Sequence, residues 1–139
     1  MSKYKYLENI ATADVAFEAY GQDLPELFGN CVRALTEAMV DSSSLSERSS
    51  QALKLSSSQV DNLLYDFLSE LIFLKDTEGF LAKRCEVKIT DGKLEASCFG
   101  EKIDQSKHEF KVDVKAVTRH EFGVERTKDG YKARVVLDV

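Results

Sequence analysis

Apolar and polar residues alternate along the segment DVAFEAYG, which begins at Asp14. Val15, Phe17 and Ala19 fall on one side, and the residues between them fall on the other. This period of two predicts a half-buried β-strand, which Gly21 ends.

Two later segments repeat apolar residues every three or four positions, which predicts amphipathic helices. The first helix starts at Asp23 as an N-cap, with Pro25 in the first turn and Glu26 three residues after the cap. Its predicted buried face consists of Leu24, Leu27, Phe28, Cys31, Leu35, Ala38 and Met39. The second helix follows a capping-box pattern at Ser58 and Asp61. Its stripe consists of Val60, Leu63, Leu64, Phe67, Leu68 and Leu71.

The serine-rich stretch DSSSLSERSSQ, between the two helical patterns, has too few apolar residues to pack against a core. It predicts a surface connection, followed by a short strand around residues 52–55.

Beyond Lys75 the pattern is that of strands joined by Asp-Gly turns, which favour β-hairpins. The first turn, at residues 91–92, places Cys85 opposite Cys98, and the second turn lies at residues 129–130. Opposed cysteines are compatible with a redox pair or half of a metal site. The interpretation that we favour is two buried reduced thiols, because free cysteine is usually a core residue and the three cysteines include no C-x-x-C pair.

These elements together predict the α+β class: one domain over residues 1–139, with two amphipathic helices packed on antiparallel β-sheet and room for a second sheet layer.

The charge balance narrows the classes of function. The chain has 24 acidic and 19 basic residues and a net charge of -5, which argues against direct nucleic-acid binding through phosphate neutralisation. No stretch has the length and apolar character of a signal peptide or a membrane span, so we expect a cytoplasmic protein.

The second hairpin is the best place for chemistry. A two-residue turn at 129–130 would put Glu121 opposite Asp138 and His120 opposite Val139, so that these groups and the terminal carboxylate gather at one end of the ribbon. Crowded carboxylates need a proton, a cation or water between them, and calcium or magnesium prefers such oxygen ligands. The residue pattern alone favours the simpler alternative, a solvated strand end.

Other candidate sites are weaker. The two histidines, His108 and His120, lack the spacing of a helical zinc pair, and the chain has no Gly-rich phosphate loop and no G-x-S-x-G elbow. We interpret Lys115 as a lysine that protects a strand edge. These observations predict that the protein is not an enzyme by itself.

Several stretches together resemble the archease family, small activators of the RtcB-type RNA ligase of tRNA splicing. They occur in the same order over most of the chain: TADVAFEAYG at 12–21, DLPELFGNCVRAL at 23–35, LLYDFLSELIF at 63–73, KAVTRHEFGV at 115–124 and KARVVLDV at 132–139.

The resemblance implies a divalent cation, with calcium as the expected ion, bound by Asp14, Asp138 and Val139, the last through backbone or terminal oxygens. It gives His120 and Lys115 nearby, supporting roles.

The chain departs from the family pattern at three positions. Ile10 and Ala11 replace a charged residue and a histidine, and Arg119 stands where an aromatic residue is usual.

The implied function is accessory. Such a protein would promote guanylylation of its RtcB-type ligase partner and permit multiple turnover, without holding RNA itself. Two alternatives are a metal-dependent phosphoester hydrolase using the same acids, and a chaperone-like binding module.

Overall fold

The computed structural model describes residues 3–7 and 14–139. The order of elements is β1 (Tyr4–Leu7), β2 (Asp14–Gly21), α1 (Leu24–Met39), a 3₁₀ turn (Ser42–Ser44), β3 (Ser49–Ser56), α2 (Val60–Glu78), β4 (Phe80–Thr90), β5 (Lys93–Lys102), β6 (Ala116–Val117), β7 (Gly123–Thr127) and β8 (Gly130–Asp138). The predicted α+β class, with two helices on antiparallel strands, is confirmed.

The strands form two antiparallel sheets. The first has the order β1-β2-β8-β6, with β7 also paired to β8, and the second has the order β3-β5-β4. Strand β8 is therefore internal: β2 covers one of its edges, and β6 and β7 share the other. This arrangement brings the first and last parts of the chain together in one sheet.

Helix α1 begins as the sequence predicts. The Asp23 side chain accepts a hydrogen bond from the Glu26 N–H at 2.8 Å, and a proline follows in the first turn. The helix ends at Met39 because Val40 is extended and bridges to Phe110. Six of the seven predicted core positions of this helix are buried; Leu24 is half-buried.

Helix α2 keeps its predicted apolar stripe but not its predicted cap. Its N-cap is Gln59, which makes no side-chain capping bond, so the capping box at Ser58 and Asp61 is wrong. The Ser57 hydroxyl instead accepts a hydrogen bond from the Gln59 N–H at 3.2 Å. At the other end, Gly79 adopts the left-handed conformation with φ 67°, which stops the helix.

The serine-rich connection is shorter than expected. Strand β3 already begins at Ser49, and Leu45 within the connection is buried with 3% exposure. The strand forms because it pairs along its whole length with β5, a contact between distant segments that local composition does not reveal.

The first Asp-Gly hairpin is confirmed. Asp91 and Gly92 have positive φ angles, and Cys85 lies directly opposite Cys98. The prediction of reduced thiols is wrong in this structure, which joins the two residues as a disulfide. The predicted register already placed the two residues opposite each other, and opposed positions on paired strands bring the two sulfur atoms close enough to bond. The odd number of cysteines and the absence of a C-x-x-C pair do not argue against that bond.

A buried ionic cluster anchors the segment after β5. The Glu101 carboxylate accepts hydrogen bonds from Lys107 Nζ at 2.6 Å and from the Ser46 N–H at 3.1 Å, and lies 2.6 Å from His108 Nε2. Because the Asp104 N–H donates to His108 Nδ1 at 2.9 Å, Nε2 carries the ring proton and donates to Glu101. The bonds from Lys107 above all hold the pKa of Glu101 down at about 2.

We expect this cluster to make stability depend on acid pH. The pKa of Glu101 falls from 4.5 to about 2 on folding, so its stabilisation is complete above pH 4.5 and is lost as the pH falls toward 2. Glu101→Gln should lower the free energy of unfolding at pH 7 by about 2 to 3 kcal/mol. It should also flatten the acid limb in urea unfolding followed at a series of pH values. Glu95→Gln, an exposed change on the same strand, is the control; an unchanged acid limb in Glu101→Gln would contradict the assignment.

Candidate metal centre

Asp14 and Asp138 are directly paired across β2 and β8. Side chains at opposed positions of an antiparallel pair have Cβ atoms about 5 Å apart and lie on the same face of the sheet. The adjacent pair, Val15 and Leu137, belongs to the core side, so the two aspartates lie on the outer face. Asp138 is exposed and Asp14 is half-buried.

The backbone around Asp138 is held on both sides. Ala116 of β6 pairs with it on the edge away from β2, and the Lys115 N–H donates to the Asp138 carbonyl at 2.8 Å. The Val139 side chain packs against the core. The main-chain and terminal oxygens of Val139 directly follow Asp138 in the chain.

The predicted register of the second hairpin is wrong. The two-residue turn is Lys128–Asp129 rather than Asp129–Gly130, because Thr127 pairs with Gly130. Strand β7 leaves the ladder at Gly123, and Ala116, not Glu121, is opposite Asp138.

His120 and Glu121 lie in the turn between β6 and β7. Glu121 has a positive φ of 48°, which breaks the strand, and it accepts a hydrogen bond from Arg134 at 3.3 Å. Arg134 is four residues before Asp138 on β8, a distance of about 13 Å along the strand. His120 is exposed, with its Nε2 3.2 Å from Glu121. Strand pairing therefore does not bring these two residues to the aspartates.

The same turn is clamped to α2 by contacts that sequence reasoning missed. The Arg119 guanidinium lies 3.6 Å from the centre of the Tyr65 ring and donates to Asn62 at 2.8 Å. The Tyr65 hydroxyl donates to the Val117 carbonyl at 3.0 Å, and Phe122 meets the Tyr65 ring edge-on. Arg119 thus places its flat guanidinium group against the Tyr65 ring. The sequence feature that could have indicated these contacts is Tyr65, an aromatic residue beside the predicted apolar stripe of α2.

Lys115 is exposed and stands one residue before β6, an edge strand of the first sheet. Its proposed protection of that edge stays a prediction. Ile10 and Ala11, the two other departures from the family pattern, lie outside the described residues.

The donor set at this end of the sheet fits a hard divalent cation. In the described part of the chain, neither Asp14 nor Asp138 has a basic group within 4.0 Å, although directly opposed like charges repel. Residues 3–7 and 14–139 contain no cluster of three or more His, Cys, Asp or Glu side chains arranged for a metal. The third ligand that the family resemblance implies is an oxygen of Val139, and oxygen donors of this kind suit calcium or magnesium.

Comparison with known proteins places the chain in a family. The Archease protein family (MTH1598/TM1083) matches residues 4–139. Protein archease of Archaeoglobus fulgidus is 39% identical over 99% of each chain, and protein archease of Pyrococcus abyssi is 34% identical over 100% of each. The chain belongs to the archease family.

Solved structures agree with this fold. The solution structure of Methanobacterium thermoautotrophicum protein 1598 superposes with a TM-score of 0.83, at 34% identity over 100% of both chains. A Thermotoga maritima crystal structure described as an archease and possible chaperone superposes with a TM-score of 0.66, at 21% identity over 92% of both chains.

Among the residues that the structure describes, neither helix combines the length and the apolar character that crossing a membrane demands.

Proposed function

We propose that this protein is an accessory factor that activates an RtcB-type tRNA-splicing RNA ligase, by promoting guanylylation of the ligase and its multiple turnover. Membership of the archease family supports this role. The observation that carries the proposal is the direct pairing of Asp14 with Asp138, the residue that precedes Val139.

In this proposal Asp14, Asp138 and Val139 hold a divalent cation, expected to be calcium, on the outer face of the first sheet. The cation would neutralise the opposed carboxylates and could polarise a phosphoryl oxygen of the partner's substrate. The residues of this chain only bind and orient. Because β8 is internal and its last residues are bonded on both edges, the ligands are preorganised on a rigid element.

The acidic charge suits this role. A chain with a net charge of -5 is poorly suited to hold RNA electrostatically, so contact with the ligase protein rather than with RNA is proposed. We further propose that it acts in the cytoplasm, where the Cys85–Cys98 bond would be exposed to reduction.

A guanylylation assay tests the proposal. Labelled GTP, divalent metal and the cognate RtcB-type ligase are mixed with this protein, and covalent guanylylation of the ligase is measured. The intact chain should raise the yield of guanylylated ligase, and Asp14→Ala should remove the rise. Asp66→Asn, an exposed acid on α2, should keep it. No rise with the intact chain would contradict the proposal.

The same preparation separates the alternatives. Turnover of a phosphoester by the protein alone, lost in Asp14→Ala, would indicate a hydrolase. The description of the Thermotoga maritima structure as a possible chaperone favours a test of the other alternative, a chaperone-like binding module. Suppression of aggregation of unrelated clients, unaffected by Asp14→Ala, would indicate a chaperone-like binding module.

A further inference from the structure

A cavity of about 730 Å³ lies at the end of the first sheet opposite Asp14 and Asp138. It is bounded by β1, the end of β2, the first turns of α1 and the β7–β8 turn. The distance along β2 from the aspartates is about 23 Å, so the cavity is separate from the candidate metal centre. Its volume is in the range of pockets that hold small organic ligands.

Three residues form a row across the outer face of the sheet at this cavity. Tyr20 pairs with Lys132 of β8, and its N–H donates to the Lys3 carbonyl at 2.9 Å, which continues the β1–β2 ladder. All three residues line the cavity. Since residues opposite one another share a face, an aromatic ring is flanked on each side by a lysine. We call these residues the Lys–Tyr–Lys row.

The lysines of this row are available to an anion. Within the described residues, Lys3 has no acidic group within 4.0 Å. Lys132 lies 3.0 Å from Glu125, whose side chain is 65% exposed, and 4.0 Å from the half-buried Glu18, which also accepts a hydrogen bond from the Tyr20 hydroxyl at 3.1 Å. Exposed pairs contribute little stability, so a phosphate could replace the Glu125 carboxylate at small cost. Lys5, which also lines the cavity, lies 3.7 Å from Glu18, whose side chain is only 14% exposed, so this lysine is not counted as available.

Helix α1 contributes a buried amide to the cavity wall. Asn30 is only 6% exposed, and its Nδ2 donates to the Tyr20 carbonyl at 2.7 Å. This bond fixes the orientation of the amide and leaves Oδ1 as an acceptor, which accepts no hydrogen bond from the described residues. Glu26 and Asp129 provide carboxylates on the α1 and turn side, opposite the lysines of β1 and β8.

The backbone around the cavity is closely packed. A Cβ atom on Gly21 would contact the Leu27 backbone, and one on Gly130 would contact the Gly21 carbonyl. Because glycine is required at both positions, β2, β8 and α1 meet here at a fixed separation, and the cavity has a defined shape.

We propose that this cavity binds a ligand with the chemistry of a mononucleotide: a planar ring carrying amino donors, joined to a phosphate. The phosphate would lie between Lys3 and Lys132, the ring would stack on Tyr20, and the amino donors would reach Glu26 or Asp129. The net charge of -5 favours a small ligand over a nucleic-acid chain. The proposal goes beyond the accessory function and does not depend on it.

Amide-resolved NMR titration of the intact protein tests the proposal, with adenosine 5′-monophosphate, adenosine and inorganic phosphate as separate probes. The monophosphate should shift the amide signals of Gly21, Asn30 and Tyr131 and saturate. Adenosine and inorganic phosphate should each bind at least about tenfold more weakly than the monophosphate. Equal affinity for adenosine and the monophosphate would overturn the placement of the phosphate between Lys3 and Lys132. Failure of the monophosphate to shift these signals would overturn the proposed site.

The chain provides a matched control for the Lys–Tyr–Lys row. On the second sheet, Lys54, Glu95 and Lys88 are paired in the same way, with a carboxylate in place of the ring. Lys3→Gln/Lys132→Gln should weaken monophosphate binding by at least about tenfold, whereas Lys54→Gln/Lys88→Gln should leave it within about twofold. Equal effects of the two double variants would overturn the proposal. Ligase guanylylation, measured on the same variants, reports separately on the proposed function.

Discussion

Asp138→Asn is expected to weaken calcium binding by about two orders of magnitude, because it removes one of the two charged side chains opposed across β2 and β8. Isothermal titration of the metal-free protein with calcium measures the change. Removal of Val139 should weaken binding as well, since the proposed third ligand comes from its oxygens. Calcium affinity that is unchanged in both variants would contradict the assignment of the centre.

The same substitution should change the stability of the protein in opposite directions without and with calcium. Without calcium, two like charges oppose each other, so Asp138→Asn should raise the free energy of unfolding by about 0.2 to 1 kcal/mol. With saturating calcium, Asp138→Asn should instead lower the free energy of unfolding relative to the intact chain, since the intact chain binds calcium more tightly and gains more binding energy. Asp66→Asn should change neither value, because that residue is exposed on α2.

Phe67→Ala is expected to lower the free energy of unfolding by about 3 to 5 kcal/mol. The Phe67 side chain is fully buried and stacks on Phe28, with ring centres 6.0 Å apart, where α2 meets α1. Its removal leaves a cavity between helices that cannot collapse freely. A loss of this size is a large part of the stability of a domain of this length. Urea unfolding followed by circular dichroism gives the value.

Helix α2 provides the matched control. Phe73 is on the same helix but is 56% exposed, so Phe73→Ala should change stability by no more than about 0.5 kcal/mol. A similar loss in both variants would mean that the helix, rather than its buried face, determines the effect.

The helices were predictable because their signal is local. Core positions such as Leu27 and Leu64 recur at the helical period whatever the helix packs against, and both are fully buried. The start of α2 was not predictable in this way, since its N-cap is Gln59, which makes no side-chain capping bond, although the serine that the pattern favours directly precedes it. The chain geometry, not the residue type, sets where this helix begins.

The two hairpins show where pattern reasoning fails. Both contain Asp-Gly, but only Asp91 and Gly92 form the turn itself, whereas Gly130 is already the first residue of β8. Gly130 is required for its close contact with Gly21, a distant segment of the chain. A shift of the turn by one residue, with the break at Glu121, was enough to move His120 away from Asp138.

The candidate centre was predictable only in part. The pairing of Asp14 with Asp138 agrees with what the family resemblance implied, whereas the residue pattern alone favoured a solvated strand end. Pairing between the two extremes of a chain leaves no local trace, because each strand alternates in the same way whichever neighbour it has.

The long-range pairing of β2 with β8 also sets the order in which the molecule can assemble. The β4–β5 hairpin needs only neighbouring residues and can form early, whereas the first sheet gains its central member only after the intervening chain has been arranged. Until then, the edge of β2 that pairs with β8 has no partner strand. Formation of the aspartate pair is therefore a late event, and the proposed cation would bind only molecules that have completed it.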